Sequence, residues 1–578
     1  MTAASPEQAE AGSSAETARG QTSRPPLLLR ALRAWGWPVL LLIALLFFLP
    51  GFFDMPPLDR DEARFAQASK QMLESGDFVD IRFQEQPRHK KPIGIYWLQA
   101  ASAALFGGAE AGIWAYRLPS LLGALAAVLL TAWAGRRLFG SDAGRLAAVM
   151  MACCVLLGVE ARLAKTDAML LATIILAQGA LAGIYLESLR GERVALSVAL
   201  LFWVAQGLGV LIKGPIILLV SGTTLLALAA SERRAAWMLQ LRPLRGLAVM
   251  AVIVLPWLIA ITSVTEGAFL RGSVGGDLFG KIFSAQESHG GPPGVYLGAF
   301  WLTFWPFSLL AGLAIPWVWR HRREPAVRFC LAWILPTWIV FELTATKLVH
   351  YVLPVFPAIA LLSAQAALAA LKEGAWPPRH WAAWIPMGLF GLVGLLLAVA
   401  VPAGTWYLTG GPSLWAFLGG AAALAAALLG LWLTRRGRLG SLLTVLPLCA
   451  LILYAPVWQG VLPRLDALWL SRQAATAVER ARSCPETRLA TAGYSEPSLI
   501  FLVGTDTRVG EGPEAAGHLL DDPACALALV SERARPDFEP LLSAAGRQAE
   551  ALATFEGFNY ARGRTETLRL YRLAAEPE

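Results

Sequence analysis

Long apolar runs separated by short arginine clusters constrain this chain more than any other feature. Runs near 37–53, 116–135, 146–160, 168–187, 194–211, 215–230, 246–264, 295–319, 327–344, 349–371, 381–405, 413–433 and 440–460 make about thirteen candidate spans, since crossing a bilayer takes about 20 apolar residues. Helix is the expected form, because lipid leaves a backbone amide no partner outside a helix or a closed barrel. The runs are too continuous for barrel strands. Composition agrees: 56% of the 578 residues are hydrophobic and 16% charged, against about 25% charged in soluble domains. The formal charge is 49 − 41 = +8, carried in clusters between runs, which suits the inner face of a membrane and not nucleic acid.

The arginines also set the orientation. Every second connection is basic: Arg136, Arg137 and Arg145; Arg190 and Arg193; Arg233, Arg234, Arg242 and Arg245; Arg320, Arg322, Arg323 and Arg328; Lys372 and Arg379; Arg435, Arg436 and Arg438. These connections are expected inside with the N-terminus. The others, at 54–115, 161–167, 212–214, 265–294, 345–348 and 406–412, then face outward, together with everything after the last run. Residues 1–26 read as a disordered cytoplasmic tail, 27–463 as the membrane domain, and 464–578 as an extracytoplasmic soluble α/β domain. In that tail 489–492 and 526–530 read as strands, 538–545 as helix, and 551–555 with 567–571 as a strand pair. Cys484 and Cys525 are its only cysteines; an oxidising compartment permits a disulfide, although spacing alone does not establish proximity.

The outward connections hold the unusual residues, acids, histidines and single lysines at the edges of apolar runs, where charge is costly to bury. In 54–115, Asp59, Asp61 and Glu62 open a helical stretch. They suit N-capping or a general base held at the membrane surface, and one residue can do both. Arg88, His89, Lys90 and Lys91 precede Pro92 and an aromatic run, either as an interfacial anchor or as a phosphate site. Arg162 and Asp167, Lys213 before Gly214, His289 in a Gly-Pro turn, and Lys347, His350 and Tyr351 fall on the same outward side. Lysines at such turns commonly snorkel, but the repetition on one face favours a site.

These segments resemble a known group. Asp61-Glu62-Ala63-Arg64-Phe65-Ala66, Met72-Leu73-Glu74-Ser75-Gly76-Asp77, Lys91-Pro92 and Tyr96-Trp97-Leu98 are similar to the first periplasmic loop of bacterial GT-C glycosyltransferases. The nearest types are the protein mannosyltransferase-like family (family 39) and the lipid A aminoarabinose transferases. The later motifs follow in the same order, and the likeness runs over about 37–365, with the last spans and tail matching in layout.

The resemblance implies a polytopic α-helical membrane protein of GT-C type in a bacterial inner membrane. It implies an inverting transferase that moves a sugar from a polyprenyl-phosphate carrier to an envelope lipid, glycan or protein. It places Asp61 at the reacting centre and Asp167 as a second motif acid. Arg64 and Lys91 would hold the donor phosphate beside Tyr351, with Arg162, Lys213, Lys347 and His350 as further substrate contacts and His289 as a loop contact; Lys90, a departure from the family, joins the substrate contacts by its charge. Lys90 stands where the family commonly has a glutamate linked to a divalent metal, and an ammonium does not ligate, so no cofactor or metal is expected. The extra cation instead suits an anionic sugar or acceptor. Phe65 replaces a common tyrosine. The competing reading is a transporter or flippase of lipid-linked sugars. It calls for polar residues or broken helices near mid-membrane, and the polar residues here sit at the outer ends of the runs.

Overall fold

The computed structural model describes residues 26–273, 291–374, 376 and 381–574. Residues 1–25 of the expected tail, and His289, lie outside the described residues. Within them, nine helices are long and apolar enough to span a membrane, or eleven if each of two bent pairs is one span. The expected thirteen is not reached, for two local reasons. The run 146–160 is divided at Cys153–Cys154 into helices Ser141–Ala152 and Val155–Glu160. Ile216–Glu232 is an apolar helix of only 17 residues.

Burial sorts the helices into centre and rim. Asp167–Leu189, Val349–Glu373 and Ile113–Leu138 are 83%, 78% and 61% buried, whereas Pro243–Val264 is 11% and Trp381–Thr409 22%. The first three form the centre and the other two present their apolar sides outward, as lipid contact requires. Small residues bring backbones together in the centre. A Cβ on Gly135 would lie 2.4 Å from Gly144 Cα, so helix Ile113–Leu138 meets Ser141–Ala152 without side chains between them. At the arginine-rich rim, guanidinium groups lie over indoles: Arg137 on Trp133 at 4.6 Å and Arg322 on Trp319 at 4.3 Å. These pairs place both halves of an interfacial anchor at one level.

At the opposite rim, connection 54–115 folds into helix Asp61–Ser75, a short hairpin of β1 (Arg82–Phe83) and β2 (Gln86–Pro87), and helix Gly94–Leu105. Above it, the tail forms a five-stranded sheet in the order β4-β3-β5-β7-β6: β3 is Leu489–Ala492, β4 Arg508–Gly510, β5 Leu527–Ser531, β6 Ala549–Asn559 and β7 Arg564–Leu573. β3 pairs parallel with β4 and β5, and β7 pairs antiparallel with β5 and β6. β3 and β5 are buried along their whole length, which explains why they read as short apolar runs. β4 carries Arg508 and Val509 exposed and has no such signal. Cys484 and Cys525 are bonded, with Cα atoms 5.6 Å apart. The tail helix Pro497–Val503 packs on Asp61–Ser75, and its Phe501 ring lies 5.3 Å from that of Tyr116 on Ile113–Leu138.

Candidate active site

The site begins where the first outer connection turns into its helix. Arg60 has φ +66, and the following residue, Asp61, opens Asp61–Ser75. No side chain caps this helix, so capping does not occupy Asp61. Glu62 is instead the structural acid. Its carboxylate takes Arg117 Nε at 2.7 Å and Nη2 at 2.9 Å, the Leu58 amide at 2.7 Å and the Ala164 amide at 2.8 Å. Arg117 also donates to the Met55 and Pro56 carbonyls at 2.6 and 2.8 Å. Both side chains are buried, and every strong hydrogen-bonding demand of the pair is met, as a buried ion pair requires. Loop, central helix and the 161–166 turn are thereby locked together, leaving Asp61 open to solvent.

Beside Asp61 lies a compact charge cluster. Lys213 donates to Asp167 Oδ1; Lys165 Nζ lies 3.8 Å from Asp167 Oδ2 and 3.3 Å from Glu160 Oε1. The His350 ring nitrogens are 3.8 Å from Glu160 and 3.7 Å from Asp167. Lys213 Nζ is 5.8 Å from the centroid of the Tyr351 ring, which meets His350 edge-on. Local sequence explains the meeting. Asp167 opens Asp167–Leu189 and Lys213 closes Leu196–Lys213, where Gly214 takes φ +80. A Cβ on Gly94 would come within 2.7 Å of the Leu211 carbonyl, so only glycine lets the Lys91-Pro92 segment lie against the Lys213 turn. Partial desolvation by the surrounding protein favours a neutral Asp61, but the charges of Lys165 and Arg88 outweigh it and hold the carboxyl below its usual range. Lys165 is held protonated by Glu160, Asp167 and Asp61 despite its burial. The result is an accessible carboxylate next to fixed ammonium groups.

Comparison with known proteins agrees with this arrangement. Residues 90–259 match the family described as dolichyl-phosphate-mannose-protein mannosyltransferase. The chain is 29% identical over 373 residues to the undecaprenyl phosphate-alpha-4-amino-4-deoxy-L-arabinose arabinosyl transferase of Aeromonas salmonicida, covering 64% of this chain and 66% of that relative, just under two thirds of its length. ArnT from Cupriavidus metallidurans bound to undecaprenyl phosphate superposes with TM-score 0.70 at 20% identity, over 94% of this chain and 99% of that one. The chain has the GT-C fold and is related to the aminoarabinose transferases. A more distant likeness is the archaeal oligosaccharyltransferase AglB from Archaeoglobus fulgidus, in complex with an inhibitory peptide and a dolichol-phosphate, at TM-score 0.51 and 13% identity over 86% of this chain and 70% of that one. The ArnT superposition takes in the C-terminal domain, where the sequence alone suggests likeness only in layout.

On this GT-C frame the expected site residues divide. Asp61, Asp167, Lys213, His350 and Tyr351 come together, and Pro92, next to Lys91, approaches the Gly214 turn. Lys90 is exposed. Arg64 lines a separate cavity of about 150 Å³ with Arg60 and Arg562. Arg162 is spent on structure: it is buried, donates to the carbonyls of Pro50, Phe47 and Gly158, and lies 4.5 Å from the Trp458 ring. Lys347 donates to the Glu342 and Thr344 carbonyls at 2.7 and 2.8 Å, closing helix Pro325–Leu343. The sequence reading overlooked Lys165 and Glu160 as site members, and offered Arg88 only as one of the cations of a phosphate site. Lys165 stands two positions before Asp167, the one signal that singles it out from Arg162. Arg88 is nearly buried, 5.2 Å from the Phe65 ring.

Glu160, Asp167 and His350 offer ligand atoms within 4.8 Å of one another, which makes them the metal candidate among the described residues. Glu160 Oε2 makes no hydrogen bond there. The set nevertheless suits ammonium better than a dication. Lys165 and Lys213 already balance the two carboxylates, and a divalent ion added beside them would face two like charges in a buried rim.

Proposed function

We propose that this protein is an integral membrane glycosyltransferase of the inner membrane. It moves a sugar from a polyprenyl-phosphate carrier, of the undecaprenyl type named for its relatives, to an envelope acceptor on the periplasmic side. One juxtaposition carries the reading: the accessible Asp61 carboxylate beside the lysines gathered around Asp167. Glycosyl transfer from a lipid phosphate needs a proton acceptor and a cationic cradle at the bilayer edge, and no nucleotide-binding loop. The acceptor oxygen attacks the anomeric carbon and passes its proton to Asp61. The carbon–oxygen bond to phosphate breaks on the opposite face, and the electron pair leaves on the phosphate. Lys91, Lys213 and Arg88 stabilise that developing charge, and the anomeric configuration inverts.

The orientation follows from the same proposal. Asp167 opens its helix and Lys213 closes its own, so both lie at the end of the bundle that carries the 54–115 connection, with the tail packed on it, while Arg136 and Arg137 end their helix at the other; a disulfide in the tail fits an oxidising compartment. A flippase needs a polar path at mid-membrane, which a cluster at helix ends does not provide.

The test compares envelope glycolipids and glycans by mass spectrometry in cells with the gene, without it, and with Asp61→Asn. A mass increment present only with the intact protein is expected. The Asp61→Asn chain should reach the membrane normally and reduce the increment by at least about 100-fold, in line with loss of a general base. Full product from that variant would remove Asp61 from the chemistry.

A further inference from the structure

The helix that carries Asp61 is gripped from above by the C-terminal domain, and the grip is concentrated on the two residues before it. The Asp59 amide donates to the Tyr560 hydroxyl at 2.9 Å. Ser498 donates from its hydroxyl to Asp59 Oδ1, and its amide lies 3.3 Å from the same oxygen. The Arg60 guanidinium donates to the Ala561 carbonyl. Arg60 is an ordinary L-residue at φ +66, a conformation that persists only where the surroundings over-determine it. Tail residues supply these contacts.

The tail's own side of the interface is pre-set. Ser498 and Tyr494 both hydrogen-bond Ser471, at 2.6 and 2.8 Å, and Asn559 donates to Glu496 at 3.0 Å. Docking as such is supplied elsewhere. Phe501 packs on Tyr116, Gln67 donates to Thr505 at 2.6 Å, Thr505 donates to Glu74 at 2.7 Å, and Gln84 reaches the Thr507 carbonyl at 2.6 Å. The grip at 59–60 is therefore separable from adhesion of the two domains.

We infer that Ser498 and Tyr560 are positioning residues of the active centre, contributed by the C-terminal domain, which fix the Asp59–Arg60 turn and with it the direction of the Asp61 carboxylate. The inference rests on the proposed role of Asp61. It makes the tail a working part of the transferase, with a small hydroxyl-bearing surface matched to one turn of the loop.

The experiment uses the full-length protein in membranes from a gene-deleted strain, with Ser498→Ala, Tyr560→Phe, their combination, Ser498→Thr and Asp61→Asn. Two readouts are taken: the mass-shifted envelope product, and amide exchange over 59–63 and over β3 and β5. The combined variant is expected to lose product at least about tenfold and to exchange about tenfold faster at 59–63. Exchange in β3 and β5 should stay unchanged, and Ser498→Thr should restore both readouts. Tyr560→Phe alone keeps the test intact if the combination perturbs the tail. Wild-type product and exchange in both variants, with Asp61→Asn inactive, overturns the positioning role and leaves the proposed function standing. Full product from Asp61→Asn overturns that function, and the exchange at 59–63 then reports on the grip alone. Loss that Ser498→Thr does not restore overturns the hydrogen-bonding role of Ser498.

Discussion

Asp59 and Asp61 stand two positions apart and titrate in opposite directions. Asp61 is pulled low by Lys165 and Arg88. Asp59 faces Glu496, Tyr494 and Tyr560, and burial lifts it from 3.8 to about 6, with Ser498 offsetting part of the rise. A carboxyl whose folded value lies above its unfolded one binds its proton more tightly when folded. Its contribution is complete below pH 4 and is lost as pH climbs through 6. At 1.36 kcal/mol per unit this amounts to at most roughly 3 kcal/mol. The melting temperature of the purified protein should accordingly fall between about pH 4 and 6, and Asp59→Asn should flatten that slope; an unchanged slope in the variant assigns it to another group. The lysines make a second prediction. Because Lys165 and Lys213 already neutralise Glu160 and Asp167, treatment with EDTA should leave transfer unaltered. Activity lost in EDTA and regained with a divalent ion would show that the triad works through metal.

The element that brings the Pro92–Gly94 segment to the Lys213 turn is the start of helix Gly94–Leu105, and its tolerance is small. Gly94→Ala places a methyl 2.7 Å from a backbone carbonyl, and backbone cannot rotate away as a side chain can. A destabilisation of about 1–3 kcal/mol is expected for such overpacking. Transfer should fall further than abundance does, because the displaced segment carries Lys91, which the proposed function assigns to the donor phosphate. Equal falls in both would mean that only folding is affected. What was legible in the sequence follows the same physics. Membrane helices announce themselves because an apolar run has few alternatives, and the outer-edge acids and lysines stand out against it. The break at Cys153–Cys154 is invisible to hydropathy, since the run stays apolar on both sides of it. Arg162 and Lys165 look alike in sequence. Only the fold shows that Arg162 meets backbone carbonyls at the end of the first span while Lys165 meets Asp167.

For the whole molecule, the tail is the part least readable in advance and most consequential. Its buried strands were visible as apolar runs, yet Ser498, Tyr560 and Thr505 carry no pattern that marks them, because their partners lie in another domain. The Cys484–Cys525 bond closes a loop with a sequence separation of 41; the chain-entropy relation gives it about 4 kcal/mol. Non-reduced peptide mapping should recover the two peptides joined. Cys484→Ser with Cys525→Ser should lower protection across β3 and β5, and two free thiols in the mature protein would end this account.

Arg60 is held by a carbonyl 501 positions downstream. During synthesis, every membrane helix is threaded before the turn that restrains Arg60 leaves the ribosome. On the inference above, a newly inserted bundle waits, complete in its lipid-facing architecture, until the last strand pair arrives to fix the turn before Asp61.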